Sequence, residues 1–414
     1  MRYSAIVFIV LSIVCAEAKW ATPIEITSYK DPVRITKSMY TDASSGVTHI
    51  AYCNSSDGSL YYANLDETGL FLTGPNKLSS GSRCHRVEVV GPHDGQKVYI
   101  EIEARRSMSI DECTPTNLGA CDDIFIYESN NGGESWENLV SIGGNPGEPF
   151  RRRFSKVIQS WKTKYIWVMY TKVEGEKNAL TVIRYDTQKR AFENERVLVP
   201  KFSGLDNYPL ITYNDNGDTT LQLLYASPLT LSLQNLISTD LGVTWNKAES
   251  IKNVCVGGKY VVRQMTSKGK YLVAGCIKAD ITHFAFSQDN GKTWTIPQAY
   301  QNKDIEEMTF CGQEDPLSAK PHMIVLSRYR KDMNISYAPI ASTDLKFADV
   351  PDAFYFAAFK MDISCHYRGD ELKIRYMYHV RTPHDGSSKY SMFVIDNDNL
   401  ADSLKKEEKV KEDL

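Results

Sequence analysis

The sequence predicts an all-β fold: a single β-propeller of four-stranded blades, seven by its spacing with six as the alternative, closed by the N-terminal strand. Three observations predict it. The pattern Ser-x-Asp/Asn-x-Gly-x-x-Trp occurs three times, as Ser129-Asn131-Gly133-Trp136, Ser238-Asp240-Gly242-Trp245 and Ser287-Asp289-Gly291-Trp294. One chance match is expected in roughly one chain of this length in several hundred, so three mark a repeat. Weaker copies extend the series to Asp66, Asn131, Asp186, Asp240, Asp289, Asp344 and Asp396, with steps of 65, 55, 54, 49, 55 and 52 residues. The last period shows three strands where the others show four, and an extra strand stands at 22–28. Pairing the two closes the ring and leaves no open edge.

Each element follows from local chemistry, beginning at the N-terminus. Arg2 precedes an apolar run over 5–16, and Ala16-Glu17-Ala18 presents small residues where a signal peptidase reads. The run is too short to span a bilayer comfortably, so 1–18 is expected to be a signal peptide cleaved before Lys19. Residues 19–400 form the propeller. Its third unit illustrates the repeat, with strands expected over 154–161, 165–172, 180–186 and 196–201 between Gly, Asn, Lys or Glu-rich turns. In the repeated turn, Ser and Asp side chains fold back onto backbone amides, Gly supplies positive φ, and Trp buries its ring between sheets. Arg368-Gly369-Asp370 reads as the turn between the first two strands of the last unit. The tail, 401–414, is a charged run ending Lys411-Glu412-Asp413-Leu414, which resembles a Lys-Asp-Glu-Leu retrieval signal with its acids exchanged. The expected location is the secretory pathway, as a resident of the endoplasmic reticulum lumen or a secreted protein.

Eight cysteines remain after Cys15 leaves with the signal, an even number that suits four disulfides in an oxidising compartment. Strand placement favours Cys113–Cys121, Cys255–Cys276 across a hairpin and Cys311–Cys365 between adjacent inner strands, leaving Cys53–Cys84 by elimination. Asn54-Ser55-Ser56 and Asn334-Ile335-Ser336 are acceptor triplets for N-glycosylation. No Cys-x-x-Cys or His-Glu-x-x-His spacing occurs, so no metal site and no cofactor are expected. Hydrophobic residues at 42% and charged residues at 24% suit an ordinary globular core. A formal charge of -3 gives no general pull toward nucleic acid or anionic lipid.

The repeated turn resembles the Asp box, or BNR repeat, of sialidases and related β-propellers, where it is a structural element remote from the active site. The resemblance covers nearly all of the mature chain. It implies that loops entering the first strand of each blade, and loops joining its second and third strands, share a ligand-binding face. The insertion over 105–122 lies there. Entries to inner strands bring Arg34, then Arg83, His85 and Arg86, then Arg151, Arg152 and Arg153, then Glu306 and Glu307, and finally Tyr355. Arginines present planar forks to carboxylates and phosphates. The family also implies three arginines on a substrate carboxylate, a Tyr nucleophile relayed by a Glu, and an Asp acid/base. Val33-Arg34-Ile35-Thr36 keeps the Arg and Ile of the first marker, Phe354-Tyr355-Phe356 resembles the Tyr position, and Arg328 or Arg330 stands for another triad arginine. The relay Glu has no counterpart at Asn207-Tyr208-Pro209 or Gly257-Gly258-Lys259.

The expected ligand set is therefore Arg34, Arg86, Arg152, Arg328 and Tyr355. No catalytic residue is assigned, with Tyr355, Glu306 and Glu307 as the weak candidates. The reading is a non-catalytic propeller for a glycan or glycoprotein, one with an anionic group where the arginines converge, or for a protein partner. The alternative is a diverged glycoside hydrolase working through two carboxyls.

Overall fold

A computed structural model describes residues 24–29, 36–54, 57–79, 84–92, 94–105, 122–142, 151–160, 162–174, 177–202, 210–214, 219–227, 232–248, 265–268, 271–278, 281–287, 289, 292–295, 298–300, 304–311, 322–329, 332–339, 348–349, 359–368, 371–384 and 387–397. These residues form antiparallel four-stranded sheets and no helix. The first sheet runs Lys37–Thr41, Thr48–Asn54, Ser59–Leu65 and Phe71–Ser79, and the second Cys84–Val90, Val98–Arg105, Asp122–Ser129 and Glu137–Ser141. The third runs Arg151–Gln159, Tyr165–Glu174, Lys177–Asp186 and Ala191–Val199, longer than the sequence suggested because extended register continues past the turn residues on both sides. Sheets four, five and six begin at Leu210–Asn214, Met265–Lys268 and Asp304–Cys311 and end at Asn246–Lys247, Gln298–Tyr300 and Ala348–Asp349.

The seventh sheet joins the first and last described strands. Phe359–Arg368, Glu371–His384 and Ser387–Asn397 are three of its strands, and Ile24–Tyr29 is the fourth. Ile24 pairs with Val394 and Tyr29 with Tyr390 across that outer rung. The first strand of each sheet lies against the first strand of the next, from sheet one through sheet seven, and that of sheet seven lies against that of sheet one.

The core is a stack of seams between successive sheets. Cys53, Leu60, Tyr62, Val87, Ile100 and Ile102 pack between the first and second, and Tyr99, Ile124, Ile126, Val157, Val168 and Tyr170 between the second and third. A strand sandwiched in this way has both faces covered, so its alternating side chains are buried on each. Cys53 and Cys84 join the first two sheets through a disulfide with a Cα–Cα distance of 5.4 Å, an ordinary span for such a bond. Cys276, Cys311 and Cys365 lie on strands of the fifth, sixth and seventh sheets, while Cys113, Cys121 and Cys255 lie outside the described residues.

The repeated turns show why their residues recur. Ser129 Oγ accepts from the Gly133 amide at 2.8 Å and donates to Asn131 Oδ1, which accepts from the Ser135 amide at 3.0 Å. Ser238 and Asp240 repeat the arrangement with Gly242 and Thr244, and Ser287 and Asp289 with Thr293. Gly291 lies outside the described residues. Gly133 sits at φ +93° and Gly242 at +83°, where a Cβ is strained. The Trp136 and Trp245 indoles donate within their own turns, to the Gly133 and Gly242 carbonyls. The turns also dock on the preceding sheet. Trp136 packs edge-on against Tyr62 at 4.7 Å, Asn64 Nδ2 donates to the Gly132 carbonyl, and Trp167 Nε1 donates to that of Leu241. The half-buried Trp136 and Trp245 rings thus fasten one sheet to its neighbour.

Candidate functional site

First strands are sheet edges, and their outward amides need acceptors from elsewhere. The fold supplies them from the neighbouring first strand. Asp362 of the seventh sheet accepts from the Met39 amide at 2.9 Å, Ser38 of the first from Val89 at 3.1 Å, and Glu88 of the second from Val157 at 2.8 Å. This arrangement brings charged side chains together where four sheets meet.

Glu88 is the hub. Its Oε1 accepts from Arg86 Nη2 at 3.0 Å and from Lys156 Nζ at 3.1 Å, while Oε2 takes the Val157 amide. Burial alone would raise its carboxyl, but Lys156, Arg86 and the Val157 amide hold it below the ordinary glutamate range, so it is ionised. Burial pushes Asp362 up to about 6, with Lys37 and Lys156 opposing. Lys37 Nζ donates to the Met377 carbonyl at 2.7 Å. The side chains of Arg86 and Lys156 are 30% and 35% exposed, whereas that of Glu88 is 10% exposed. The cationic ends therefore face outward with the acids behind them.

The seam between the second and third sheets continues this polar region inward. Glu101 and Glu103, on the strand next to Glu88, are buried, and burial with the Glu88 carboxylate pushes Glu101 up to about 8. Arg152 is buried against Asp123, at 3.8 Å, and lies 5.9 Å from the Tyr170 ring centroid. The Tyr170 hydroxyl donates to Glu195 at 2.5 Å, and Lys172 bridges to the same carboxylate at 2.8 Å. Burial, then the Glu195 hydrogen bond, push the Tyr170 phenol far above its ordinary value.

The expected ligand residues are thus divided. Arg86 sits at the partly exposed surface, already engaged by Glu88; Arg152 is inside the seam, because the shift in pairing between Arg153 and Lys156 carries its position inward. Glu306, Glu307 and Arg328 stand on strands of the sixth sheet, their side chains outside what the structure describes. Arg34, Arg83, Arg330 and Tyr355 lie outside the described residues, as do 106–121 of the insertion. Asn54 ends the second strand of the first sheet and Asn334 lies on the third strand of the sixth. Arg368 and Glu371 pair across the predicted turn of the last sheet, whose Gly369 and Asp370 lie outside the described residues. Sequence reasoning missed Lys37, Glu88, Glu101, Lys156 and Asp362. The available signal was charge at alternate positions of otherwise apolar strands, Arg86-Val87-Glu88 and Ile100-Glu101-Ile102-Glu103. Among the described residues, no group of three or more His, Cys, Asp or Glu is placed to hold a metal ion, and no helix is long and apolar enough to cross a membrane.

No protein-family model matches the chain, and no curated protein sequence matches it. Solved structures do. The polysaccharide lyase Uly1 is similar over 87% of this chain and 90% of its own, at 9% identity and a TM-score of 0.51. The NanB sialidase of Streptococcus pneumoniae is similar over 92% of this chain and 70% of its own, at 10% identity and 0.47. The Hadza microbial sialidase Hz136 is similar over 81% and 73%, at 13% and 0.43. At these identities the likeness is one of fold.

Proposed function

We propose that this chain is a seven-bladed propeller closed by its N-terminal strand, and that it serves in the secretory pathway as a non-catalytic binding module for a glycan or glycoprotein bearing an anionic group. The blade count rests on the seven four-stranded sheets and on the unbroken series of first-strand neighbours. One observation carries the binding reading: Lys37, Arg86 and Lys156 come from three adjacent first strands, with the buried Glu88 and the partly buried Asp362 beside them. Cations held in place by internal acids keep fixed geometry for a carboxylate or sulfate without a large net charge. The fold shared with a polysaccharide lyase is compatible with sugar recognition, and the repeated turns stay remote, docked between sheets.

Nucleophilic chemistry finds little support. Among the described tyrosines, Tyr61 hydrogen-bonds Asp57, Tyr99 Glu128 and Tyr170 Glu195, and burial pushes each of these phenols above its ordinary value. A phenol so shifted supplies almost no phenolate at neutral pH. Glycan-array screening of the mature chain should show acidic-glycan binding that falls on Lys156→Ala, and a fluorogenic sialoside should not be turned over. Robust turnover that disappears in Tyr355→Phe would make the chain a diverged glycoside hydrolase instead. Residence in the endoplasmic reticulum is proposed from the tail, and deleting 411–414 should raise secretion into medium; unchanged secretion would leave the tail merely solvated.

A further inference from the structure

Glu88 and Glu101 stand directly opposite one another on the first two strands of the second sheet. Both face the third sheet: Glu88 takes the Val157 amide, and Glu101 shares its rung with Ile126 of the seam core. Their surroundings differ sharply. Glu88 receives three donors, whereas Glu101, 1% exposed, completes no hydrogen bond at either oxygen. Ser155, the third-sheet hydroxyl that bears on it, is fully buried and likewise completes none.

Two adjoining carboxyls in a dry seam do not both ionise, because neither has water to screen the like charge. The three donors select Glu88 as the ionised member, so Glu101 keeps its proton. Charged groups at this seam among the described residues include Glu103 on the same strand, Arg86 on the first, Asp123 and Glu128 on the third, and Arg152, Lys156 and the Arg190 that pairs with Glu128 on the facing sheet. Glu88 and Glu103 oppose ionisation of Glu101, whereas the Ser155 hydroxyl and then Arg86 favour it. A charged Glu101 has one route to hydration, which is to part Val98–Arg105 from Arg151–Gln159.

We propose that Glu101 is a pH-operated release for the contact between the second and third sheets: its proton leaves to solvent, water enters the seam, and the Glu88 bonds to Lys156 and the Val157 amide give way. The shift of Glu101 to about 8 sets the release at mildly alkaline pH. The inference rests on the binding reading only in its consequence, since Arg86 and Lys156 are the cations that Glu88 holds in position.

Amide hydrogen exchange of the mature chain tests the release without any ligand. Corrected for intrinsic exchange, protection at Val157 and across 84–90 and 151–159 should fall roughly tenfold or more from about pH 7 to about pH 9 in the parent. It should hold across that range in Glu101→Gln. Equal loss in both proteins, or loss in neither, would overturn the release. Infrared spectroscopy keeps the test decisive should the variant fail to fold: the parent should show the carbonyl stretch of a protonated carboxyl at about pH 7 that vanishes by about pH 9. Absence of that band at the lower pH would overturn it too. Failed glycan binding with the exchange behaviour intact would sink the binding reading and leave the release standing.

Discussion

Replacing both Cys53 and Cys84 by Ala removes the covalent tie between the first two sheets, and its cost can be worked from chain length alone. The bond closes a separation of 31 residues. Loop-closure entropy for that length corresponds to about 4 kcal/mol at room temperature. Both positions are buried, Cys53 completely, so alanine introduces no polar group and the lost sulfur contacts only add to the cost. A chain of this size unfolds with roughly 0.8 kcal/mol/K of entropy at about 2.1 cal/mol/K per residue, so the melting temperature should fall by about 5 °C. Urea midpoints and scanning calorimetry under non-reducing conditions measure the two quantities. Each single variant should also show one more titratable thiol in denaturant than the parent. An unchanged midpoint in the double variant, with no extra thiol in the singles, would refute the bond.

The raised carboxyl of Glu101 makes stability pH-dependent with a definite sign. Its folded value of about 8 lies above the unfolded value of about 4.3. The folded chain therefore keeps a proton that the unfolded chain releases, and stability should fall as pH rises between those limits, by up to ~1.4 kcal/mol per pH unit, then level off. Glu101→Gln should remove this fall, and parallel urea-midpoint curves for parent and variant across that range would refute the assignment. At Gly133, an added Cβ would meet Tyr62 Oη at 1.8 Å on a backbone with φ +93°. Gly133→Ala should cost roughly 2–4 kcal/mol. Gly74→Ala, with nothing within 4 Å, should be close to neutral, and equal melting temperatures for the pair would show that the turn yields.

The turns were legible because their chemistry is local: Ser129, Asn131, Gly133 and Trp136 lie within eight residues and bond to one another. The pairing of 22–28 with the last unit was legible from a missing strand, and the structure places Ile24–Tyr29 there. The charged site was not legible, because it arises between strands distant in sequence: Met39 and Asp362 are 323 residues apart, Glu88 and Val157 69. Alternation of Ile100, Glu101, Ile102 and Glu103 reads as one dry and one wet face. In a stack of sheets both faces are covered, and Tyr99, Glu101 and Glu103 are buried on the side that alternation assigns to water. Arg86 stood out by residue type, but the carboxylate that engages it could be found only in three dimensions.

The pairing of Ile24 with Val394 sets a timetable for biosynthesis. Ile24–Tyr29 has no partner until Ser387–Asn397, more than 350 residues later, has been translated. At roughly 5–20 residues per second, that interval is on the order of 20 to 70 seconds. Throughout it, Ile24–Tyr29 presents open backbone to other chains. The pairing is then a single late event, so a truncation of a few residues within Ser387–Asn397 strands a segment synthesised long before it.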